Sequence, residues 1–493
     1  MPTPFSIADL TYLAPWLIVS ASALVVLMAD VFAGRPARRT YAGVLALVGL
    51  LLAAASMLST WGLAPEPVFS GYAVADDFGR FFTLVFLGAT AFAVLLGMGY
   101  FEEHGLQRGE FYALTLMSLS GMILMGMAGD LLTFFVGLEV MSVAVYALAA
   151  YQRHESRSVE AALKYFLMGS FATAFLLYGM ALVYGATGST SLKVIAEFAR
   201  VQGASSLYLV VGMVLVLIGM AFKVAAVPFH MWTPDAYEGS PTPVTAFMAA
   251  AVKAAAFAAF VRVFATAFFP LKLGPMGWYN LIYLIAIVTM TWGNLAALVQ
   301  DNVKRMLAYS SIAHAGYILV GFLTITQNPK TSGAATVLFY LIAYAIMNFG
   351  AFGIVTLLGR RGDENLDLTK GWSGLGLRFP AIGAAMALFM FSLAGMPPTI
   401  GFTAKFYVFR EAVDQGLIIL AVIGVLNSLI SAYYYLRVVV HLYMQPMGEK
   451  RVQPLSLLPV QIALMLLVAA TLYFGILPGD LLTSAQTAVL SLF

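Results

Sequence analysis

The chain has 493 residues, of which 61% are hydrophobic and only 10% are charged, and its formal net charge is +3. A soluble domain carries about 25% charged residues, so most of this chain must lie in a lipid bilayer, and so small a net charge indicates no nucleic-acid partner. The sequence has no cysteine, which excludes disulfides, thiolate-held iron–sulfur clusters and a cysteine nucleophile.

The hydropathy pattern predicts an all-α polytopic membrane protein. A spanning helix needs about 20 apolar residues, and about fourteen segments of the chain meet that length. The N-terminus lacks a basic n-region, so we expect the first segment to be an uncleaved helix rather than a signal peptide. The predicted spans are 14–32, 41–60, 78–99, 111–128, 131–150, 161–184, 207–227, 243–268, 279–299, 306–324, 334–358, 380–409, 416–442 and 456–477.

The cations of the loops predict the orientation, because Lys and Arg accumulate in cytoplasmic loops. The odd-numbered loops hold Arg35, Arg38, Arg39, Arg108, Arg153, Arg157, Lys304, Arg305, Arg360, Arg361, Lys370, Arg378, Lys450 and Arg451. The even-numbered loops hold Arg80, Lys193, Arg200, Lys272, Lys330 and Arg410. The odd-numbered loops are therefore predicted to be cytoplasmic, with both termini on the opposite side of the membrane.

Two of the predicted spans are interrupted by proline. The seventh span runs into Pro228, and the twelfth contains Pro397 and Pro398, with Lys405 two turns further on. A proline removes one helical hydrogen bond and frees the carbonyl four residues earlier, which for Pro398 is that of Ala394. Polar backbone freed at membrane depth persists only where it meets protein or water. Both breaks are therefore expected to line a polar interior.

The order of the spans predicts an internal repeat. Spans four to eight and nine to thirteen make two sets of five, and the broken helix is the fourth of each set. Because five is odd, the second set would be inverted in the membrane, and corresponding interrupted helices indicate the transport site. The predicted domains are three N-terminal transmembrane helices (1–110), a first five-helix repeat (111–268), a second, inverted five-helix repeat (269–442) and a C-terminal transmembrane helix with its tail (443–493).

Four charged residues lie alone within apolar runs: Glu139, Lys223, Lys253 and Lys405. A charge at bilayer depth costs about 2.5–3.5 kcal/mol on insertion scales, so such residues predict function by default. One acid with three amines indicates a route for protons. Inert alternatives remain open, namely a neutral, hydrogen-bonded carboxyl for Glu139, snorkelling for Lys223 and an interface anchor for Lys405. Lys253 is too deep in its span to snorkel easily.

Three further residues are weaker candidates: His230, His314 and Lys164. Histidine titrates near neutral pH and can pass protons, although a structural role fits each histidine equally well. Lys164 and Arg262 lie nearer span ends, where snorkelling is favoured. The sequence contains no dinucleotide fingerprint, P-loop, zinc motif or EF-hand, so we expect no nucleotide, metal or redox group in this chain.

Two stretches resemble the antiporter-like subunits of respiratory complex I. They are residues 222–244, FKVAAVPFHMWTPDAYEGSPTPV, and residues 301–316, DNVKRMLAYSSIAHAG. Residues 427–437, NSLISAYYYLR, are similar to the branch of the family that carries lysine rather than glutamate in the twelfth span. The resemblance extends over nearly all of the predicted spans.

The resemblance implies a proton-translocating subunit of an NADH-quinone oxidoreductase in a bacterial inner (plasma) membrane. It implies that the neighbours are the antiporter-like subunit M and the small subunits K and J. It also implies that partner subunits carry FMN and iron–sulfur clusters and bind NADH and quinone, while this chain holds no cofactor. Charge moved against the membrane potential costs about 2.3 kcal/mol per 100 mV, and those partners would supply it.

The resemblance also places side chains on the polar axis of the family. These are Glu139 and Lys223 as a charge pair, Lys253 as the central lysine, Lys405 as the exit-side lysine, and Lys164 and His314 at other axis positions. Withdrawal of Glu139 would leave Lys223 without its partner, and the proton would pass to Lys253. His314 and bound water would then carry it to Lys405.

Two other functions remain open. An Mrp-type cation/proton antiporter subunit would share the broken helices and the lysines, but would occur without flavin or iron–sulfur partners. A structural subunit would carry the same charges as inert groups. Protons are favoured over sodium as the ion, because hard cations bind several oxygen ligands and a line of ammonium groups offers none.

Overall fold

The computed structural model describes residues 7–492 apart from 33–39, 275, 327–332, 360–366, 447–453 and 456. Its helices are α1 (Ile7–Phe32), α2 (Thr40–Leu58), α3 (Asp77–Glu103), α4 (Gly109–Met127), α5 (Leu131–Ala149), α6 (Ser156–Thr187), α7 (Leu192–Gln202), α8 (Leu207–Lys223), α9 (Trp232–Gly239), α10 (Thr242–Phe247), α11 (Lys253–Thr266), α12 (Trp278–Leu298), α13 (Val303–Leu323), α14 (Ala334–Leu358), α15 (Leu375–Arg378), α16 (Pro380–Ala394), α17 (Ile400–Asp414), α18 (Ile418–Met444), α19 (Leu458–Ile476) and α20 (Gly479–Leu490). Two short strands, β1 (Glu66–Val68) and β2 (Ala73–Ala75), form an antiparallel hairpin before α3.

Part of the orientation argument falls outside these residues. The loop cations Arg35, Arg38, Arg39, Lys330, Arg360, Arg361, Lys450 and Arg451 lie outside the described residues, as does the side chain of Lys370. The predicted orientation of the termini therefore stays a prediction.

Helix length and composition support an all-helical membrane protein. In the described ranges, 12 helical segments are long and apolar enough to cross a membrane, with α10 and α11 joined as one segment, Thr242–Thr266. The seventh and twelfth predicted spans instead contain shorter apolar helices, α8 with 17 residues and α16 with 15. Each of these helices is short because it ends at its predicted break. Within the described residues, length and composition therefore support 12 spans rather than the predicted number of about fourteen.

Five of the named elements lie outside the spans predicted from hydropathy: the β-hairpin, α7, α9, α15 and α20. Helix α7 is amphipathic, because Leu192, Ile195, Ala196 and Ala199 are buried at helical spacing while Lys193 is exposed. Such a helix covers the bundle with one face and meets solvent or headgroups with the other. A search for 20-residue apolar runs cannot detect it.

The segment α10–α11 and helices α13 and α14 form the centre of the molecule, since they are buried along almost their whole length. Helices α1, α2, α6, α12, α18 and α19 surround them and expose one face each. The apolar residues at the centre thus come from helices that are hydrophobic all round, as expected for helices without a lipid-facing side.

Small residues bring two pairs of helices into close contact. Gly179 of α6 faces Gly212 of α8, and a Cβ on either residue would lie under 3 Å from the carbonyl oxygen of the other. Gly293 of α12 and Gly316 of α13 likewise lie against the backbone of the facing helix. Glycine permits such backbone approach in membrane helices. The α6–α8 and α12–α13 pairs therefore both pack closely through glycine–backbone contacts.

Helix α8 ends in a Schellman motif directly after Lys223. Ala225 has a φ of 61°, its N–H bonds to the carbonyl of Phe222 at 3.1 Å, and the N–H of Ala226 bonds to the carbonyl of Ala221 at 2.9 Å. This ending normally uses glycine at the left-handed position, and an L-residue there costs about 1–2 kcal/mol. The chain therefore reverses sharply at the base of Lys223 before α9 begins.

Helix α16 ends in the same way. Gly395 has a φ of 88°, its N–H bonds to the carbonyl of Ser392 at 3.0 Å, and the N–H of Met396 bonds to the carbonyl of Phe391 at 3.0 Å. Here glycine supplies the left-handed residue without strain. The two interrupted helices thus stop by an identical hydrogen-bond pattern.

Candidate functional site

Glu139 lies at the middle of α5 and is half-buried. Thr173 of α6 donates a hydrogen bond to its Oε1 at 3.0 Å. Val136 and Val143, one turn before and one turn after it, are exposed. The carboxyl therefore lies at the edge of the bundle, between its interior and the outer face of α5.

Lys223 is 4% exposed at the last turn of α8. Its Nζ donates to Ser142 Oγ at 2.8 Å and to Tyr146 OH at 3.1 Å, and it lies 5.7 Å from the centre of the Tyr165 ring. Among the ion pairs of the described residues none joins Lys223 to Glu139 within 4.0 Å. The acceptors of Lys223 lie one and two turns beyond Glu139 on α5, so the expected charge pair is open.

Lys253 is 2% exposed at the centre of the molecule. It follows a π-helical turn, Met248–Val252, a local widening that is frequent at functional sites. Its Nζ donates to the carbonyl of Ser311 at 2.8 Å and to the hydroxyl of the same residue. Tyr237 OH lies 3.5 Å from that hydroxyl. The amine is thus held by α13 and connected to α9.

His314 is buried on α13 with a partner at each ring nitrogen. Its Nδ1 lies 2.8 Å from Tyr340 OH of α14, and its Nε2 lies 3.2 Å from Tyr435 OH of α18. Tyr435 OH also forms a hydrogen bond with Ser310 Oγ. The structure therefore brings His314 into a hydrogen-bonded chain that begins next to Ser311, the residue that holds Lys253.

Lys405 is 5% exposed on α17. Its Nζ donates to the carbonyl of Ala394 at 2.9 Å and lies 5.0 Å from the centre of the Tyr317 ring. The expectation that the proline break would leave this carbonyl free for a polar partner is confirmed. The break in the helix thus supplies the acceptor for the amine.

The three buried lysines share an unusual electrostatic environment. Within the described part of the chain, no Asp or Glu lies within 4.0 Å of Lys223, Lys253 or Lys405. Lys223 instead donates to two hydroxyls of α5, and Lys405 donates to the carbonyl of Ala394, the last residue of α16. Helix C-termini carry about half a negative charge, so the end of α16 rather than a carboxylate faces the amine of Lys405.

Lys164 is not brought together with the buried lysines. It is 43% exposed and pairs with Glu160 at 2.7 Å and with Asp235 of α9 at 2.8 Å. Arg305 of α13 also pairs with Asp235, at 2.7 Å. Partial burial raises the pKa of Asp235, but the hydrogen bonds from Lys164 and Arg305 outweigh it, and the pKa is lowered. Lys164 therefore belongs to a surface ion cluster that holds α9.

His230 also lies apart from the buried lysines. It is half-buried between α8 and α9, and its ring lies edge-on to Trp292 with the centroids 6.3 Å apart. No hydrogen bond of the described residues joins its Nδ1 to another group. The structure thus places His230 beside the first break and in contact with α12.

The prediction that Arg262 snorkels is wrong. Its guanidinium is buried and donates two hydrogen bonds to the carboxylate of Asp76, at 2.7 and 2.8 Å. Asp76 also caps α3 by accepting from the N–H of Gly79 at 2.7 Å. A bidentate pair of this kind fixes geometry as well as charge. Sequence reasoning treated Arg262 alone and did not identify its partner 186 residues away.

A buried amide and phenol cluster next to Lys405 was also missed. Asn294 donates to Tyr317 OH at 2.9 Å and accepts from Tyr434 OH at 3.0 Å. It also lies 3.3 Å from Asn427 Oδ1. Placing an amide side chain in an apolar span costs free energy, as placing a charge does. Asn294 and Asn427 could therefore have been identified from the sequence as candidate polar sites, although they carry no charge.

The described residues contain no group of three or more His, Asp or Glu side chains that could hold a metal ion. The site is thus built from amines, hydroxyls, one imidazole and backbone carbonyls. Together with the fold, it defines a class: an all-helical, multi-pass membrane protein with ionisable groups buried at the depth of its spans.

Comparisons with known proteins agree with this class. Residues 128–431 match the family model described as NADH:quinone oxidoreductase/Mrp antiporter, TM. The chain is 46% identical over 487 residues to NADH-quinone oxidoreductase subunit N of Trichlorobacter lovleyi, covering 98% of each protein. It matches a chain in the structure of respiratory complex I from Thermus thermophilus with a TM-score of 0.78 and 35% identity, covering 95% of this chain and 98% of that one.

The chain therefore belongs to the NADH:quinone oxidoreductase/Mrp antiporter transmembrane family, and within it to subunit N of NADH-quinone oxidoreductase. It is a multi-pass membrane subunit of bacterial complex I, which contains other subunits. The expected branch of the family is thus confirmed. A chain of the Mrp complex from Dietzia sp. is similar with a TM-score of 0.85, covering 98% of this chain and 97% of that one, but at 23% identity, which shows a shared fold alone.

Proposed function

We propose that this subunit moves protons across the membrane through a relay of buried side chains. The relay consists of Glu139, Lys223, Lys253, His314 and Lys405. Lys164 holds the surface of α9, and His230 lies beside the first break, so neither is needed as a step of the relay. The observation that carries the proposal is the burial of three lysines, each at most 5% exposed, without a carboxylate counter-ion within 4.0 Å in the described residues.

An inert structural role does not account for these lysines. Burying an unpaired ammonium costs several kcal/mol, and an apolar side chain would fill the same space without that cost. Lysine can instead lose its proton when its surroundings change. Desolvation disfavours the charged amine, whereas a nearby opposite charge favours it. Buried amines that can be charged or neutral are what a proton relay requires.

Lys223 and Glu139 provide the switch at the start of the relay. In the structure the ammonium lies on Ser142 and Tyr146, one to two turns along α5 from Glu139. Rotation of the flexible lysine side chain would exchange these neutral acceptors for the carboxylate. An opposite charge within about 4–6 Å favours the charged amine, so closing the pair loads a proton and opening it releases one toward Lys253.

The energy for transport comes from other subunits. Moving one proton against the membrane potential costs about 2.3 kcal/mol per 100 mV, and no redox centre is expected in this chain. We infer that partner subunits with FMN and iron–sulfur clusters oxidise NADH and reduce quinone, and that the antiporter-like subunit M and the small subunits K and J are the neighbours. A line of ammonium groups repels sodium, so we propose protons as the ion.

The same proposal includes the architecture of repeats. We propose about fourteen crossings, with α8–α9 and α16–α17 as discontinuous helices and both termini on the non-cytoplasmic side. Residues 1–110 would form the N-terminal helices, 111–268 and 269–442 the two inverted repeats, and 443–493 the C-terminal helix and tail. The identical Schellman endings of α8 and α16 and the matching glycine contacts support two related halves.

The test uses the complete complex with Lys253→Met in this subunit, reconstituted into liposomes. We expect NADH-driven quinone reduction to remain measurable while fewer protons are moved per electron, because the central amine of the relay is lost. Proton uptake is recorded with a pH-sensitive dye and electron flow by NADH absorbance.

Lys193→Met is the matched control, since Lys193 is an exposed lysine of α7 and its removal should leave the proton-to-electron ratio unchanged. Subunit composition is compared for both variants to show that assembly is complete. Unaltered pumping by a fully assembled Lys253→Met complex would contradict the proposed function.

A further inference from the structure

Two tyrosine hydroxyls contact His314, the histidine of the proposed relay, one at each nitrogen of its ring. Tyr340 OH lies 2.8 Å from His314 Nδ1, and Tyr435 OH lies 3.2 Å from His314 Nε2. All three side chains are buried, and they come from three helices, α13, α14 and α18. Neither tyrosine carries a charge in an apolar span, so a search for charged residues could not single them out.

The arrangement gives the two phenols opposite roles. A neutral imidazole carries hydrogen on one nitrogen, which donates, and has a lone pair on the other, which accepts. One tyrosine must therefore accept from His314 while the other donates to it. Tyr435 OH also bonds to Ser310 Oγ, so its oxygen joins two partners, and it can receive a hydrogen from serine while it donates its own to the ring.

Ser310 is the neighbour in sequence of the residue on α13 that holds Lys253. The next residue, Ser311, accepts hydrogen bonds from the lysine through both its carbonyl and its hydroxyl. Tyr435 and Ser310 thus extend the chain from His314 Nε2 along α13, whereas Tyr340 contacts the other ring nitrogen from α14. The hydrogen bonds within such a chain polarise one another, so together they stabilise the protein more than the sum of the single pairs suggests.

We propose that Tyr435 and Tyr340 are proton-transferring residues of the relay, which deliver a proton to His314 and remove one from it; this rests on the proposed function. A proton released by Lys253 reaches Ser310 through bound water. The Ser310 hydrogen then moves to Tyr435, and the Tyr435 hydrogen moves to Nε2. The transient imidazolium then gives the hydrogen on Nδ1 to Tyr340, and Tyr340 passes its own hydrogen to a bound water on the way to Lys405. One proton enters and one leaves, and no bond other than O–H and N–H is made or broken.

The transfer leaves the neutral ring with its hydrogen on Nε2, so the ring and the hydroxyls must reorient before the next proton. Replacement of either phenol by phenylalanine removes one oxygen from the chain while keeping the ring and its packing. The volume lost is one atom in each case. The effect on pumping should therefore come from the missing hydroxyl rather than from a cavity.

The experiment measures protons moved per electron in liposomes for complete complexes with Tyr435→Phe, Tyr340→Phe or Lys253→Met. Tyr434→Phe is the matched control, because Tyr434 is equally buried on the same helix but donates its hydroxyl to Asn294 rather than to His314. We expect Tyr435→Phe and Tyr340→Phe to lose as much pumping as Lys253→Met, and Tyr434→Phe to lose less.

The outcomes separate this proposal from the proposed function. Loss of pumping in Lys253→Met with normal pumping in Tyr435→Phe would overturn the tyrosine roles and leave the relay standing. Normal pumping in Lys253→Met would overturn the relay itself and the tyrosine roles with it. Equal losses in Tyr435→Phe and Tyr434→Phe would show that any buried hydroxyl on α18 matters for structure, and would also overturn the proposal.

A second measurement covers variants that fail to assemble. Incorporation of a ring-fluorinated tyrosine at position 435 keeps the hydroxyl and makes the phenol more acidic. A hydroxyl that only positions its neighbours would leave the pumping rate unchanged, whereas one that transfers its proton would change the rate and its dependence on pH. An unchanged rate and pH profile would overturn the proposal.

Discussion

At the scale of single residues, the chain treats buried cations in two ways. Arg262 is neutralised by a bidentate carboxylate, whereas Lys223, Lys253 and Lys405 meet hydroxyls and carbonyls. A paired arginine cannot be deprotonated, because its guanidinium is always charged. A lysine facing neutral acceptors can exist in either form. The choice of partner therefore separates the structural cation from those that can exchange protons.

Asp76→Asn should destabilise the subunit strongly. Asparagine caps a helix as well as aspartate does, so the substitution keeps the cap on α3 and removes only the charge that faces Arg262. Leaving a buried charge unpaired costs about 3–5 kcal/mol. We expect a lower melting temperature of the purified complex, with partial recovery when Arg262→Met removes the second charge.

The control for this prediction is Asp414→Asn, which breaks an exposed ion pair with Arg410. Exposed pairs contribute about 0–1 kcal/mol, so its melting temperature should stay close to that of the parent. Equal melting temperatures for Asp76→Asn and Asp414→Asn would show that the buried pair does not stabilise the fold.

Lys272, in the loop before α12, should react with amine reagents at lower pH than an ordinary lysine. It lies among the rings of Phe269, Trp278 and Tyr279, and burial lowers its pKa from 10.5 to about 8. Only the neutral amine is nucleophilic, so its labelling should reach half its maximum near pH 8, as measured by mass spectrometry. A labelling rate that still rises steeply at pH 10 would contradict the prediction.

Sequence reasoning at this scale identified the charges but not their partners. Glu139 and the three lysines stand out because charge is rare in apolar spans. Ser142, Ser311 and Tyr435 do not stand out, because hydroxyl residues are common there and their value depends on which helix faces them. The structure thus adds the acceptors that distant segments provide, which a single sequence cannot reveal.

At the scale of elements, the two helix endings both stop a helix and leave polar backbone groups available to other side chains. Proline and a left-handed residue stop α8 and α16, and the same reversal leaves carbonyls without helical partners. Lys405 uses one of these carbonyls, that of Ala394. The break therefore creates the polar site as a direct consequence of ending the helix.

Gly395→Ala should impair pumping more than it impairs stability. A Cβ at Gly395 would lie 2.9 Å from Cδ of Lys405, so the amine must move from its carbonyl. Gly416→Ala is the control, since Gly416 has a similar positive φ of 79° with open space around it. Both substitutions incur about 1–2 kcal/mol of backbone strain, but only the first should lower the proton-to-electron ratio.

The elements were predictable to different degrees. Long apolar helices and both breaks follow from hydropathy and proline, because those signals are local. The amphipathic α7 and the β-hairpin do not, since their apolar residues are few and are buried only by tertiary packing. The π-helical turn before Lys253 has no sequence signal, because it is imposed by the helices packed around it.

At the scale of the whole molecule, the orientation can be tested directly because the chain has no cysteine. Arg153→Cys and Lys193→Cys each introduce one thiol at an exposed position, the first between α5 and α6 and the second on α7. We expect a membrane-impermeant maleimide to label Arg153→Cys only in inside-out vesicles and Lys193→Cys only in right-side-out vesicles. Labelling of both from the same side would contradict the predicted orientation.

The surface ion cluster has a mechanical consequence. Asp235 of α9 is tied at once to Lys164 of α6 and to Arg305 of α13, two helices that belong to different halves in the proposed architecture of repeats. Many carriers work by rocking one half against the other, and in the proposed architecture such a motion would break these ion pairs. The proposed relay would need no such motion, because its steps are rotations of side chains and proton transfers between them on a stationary scaffold.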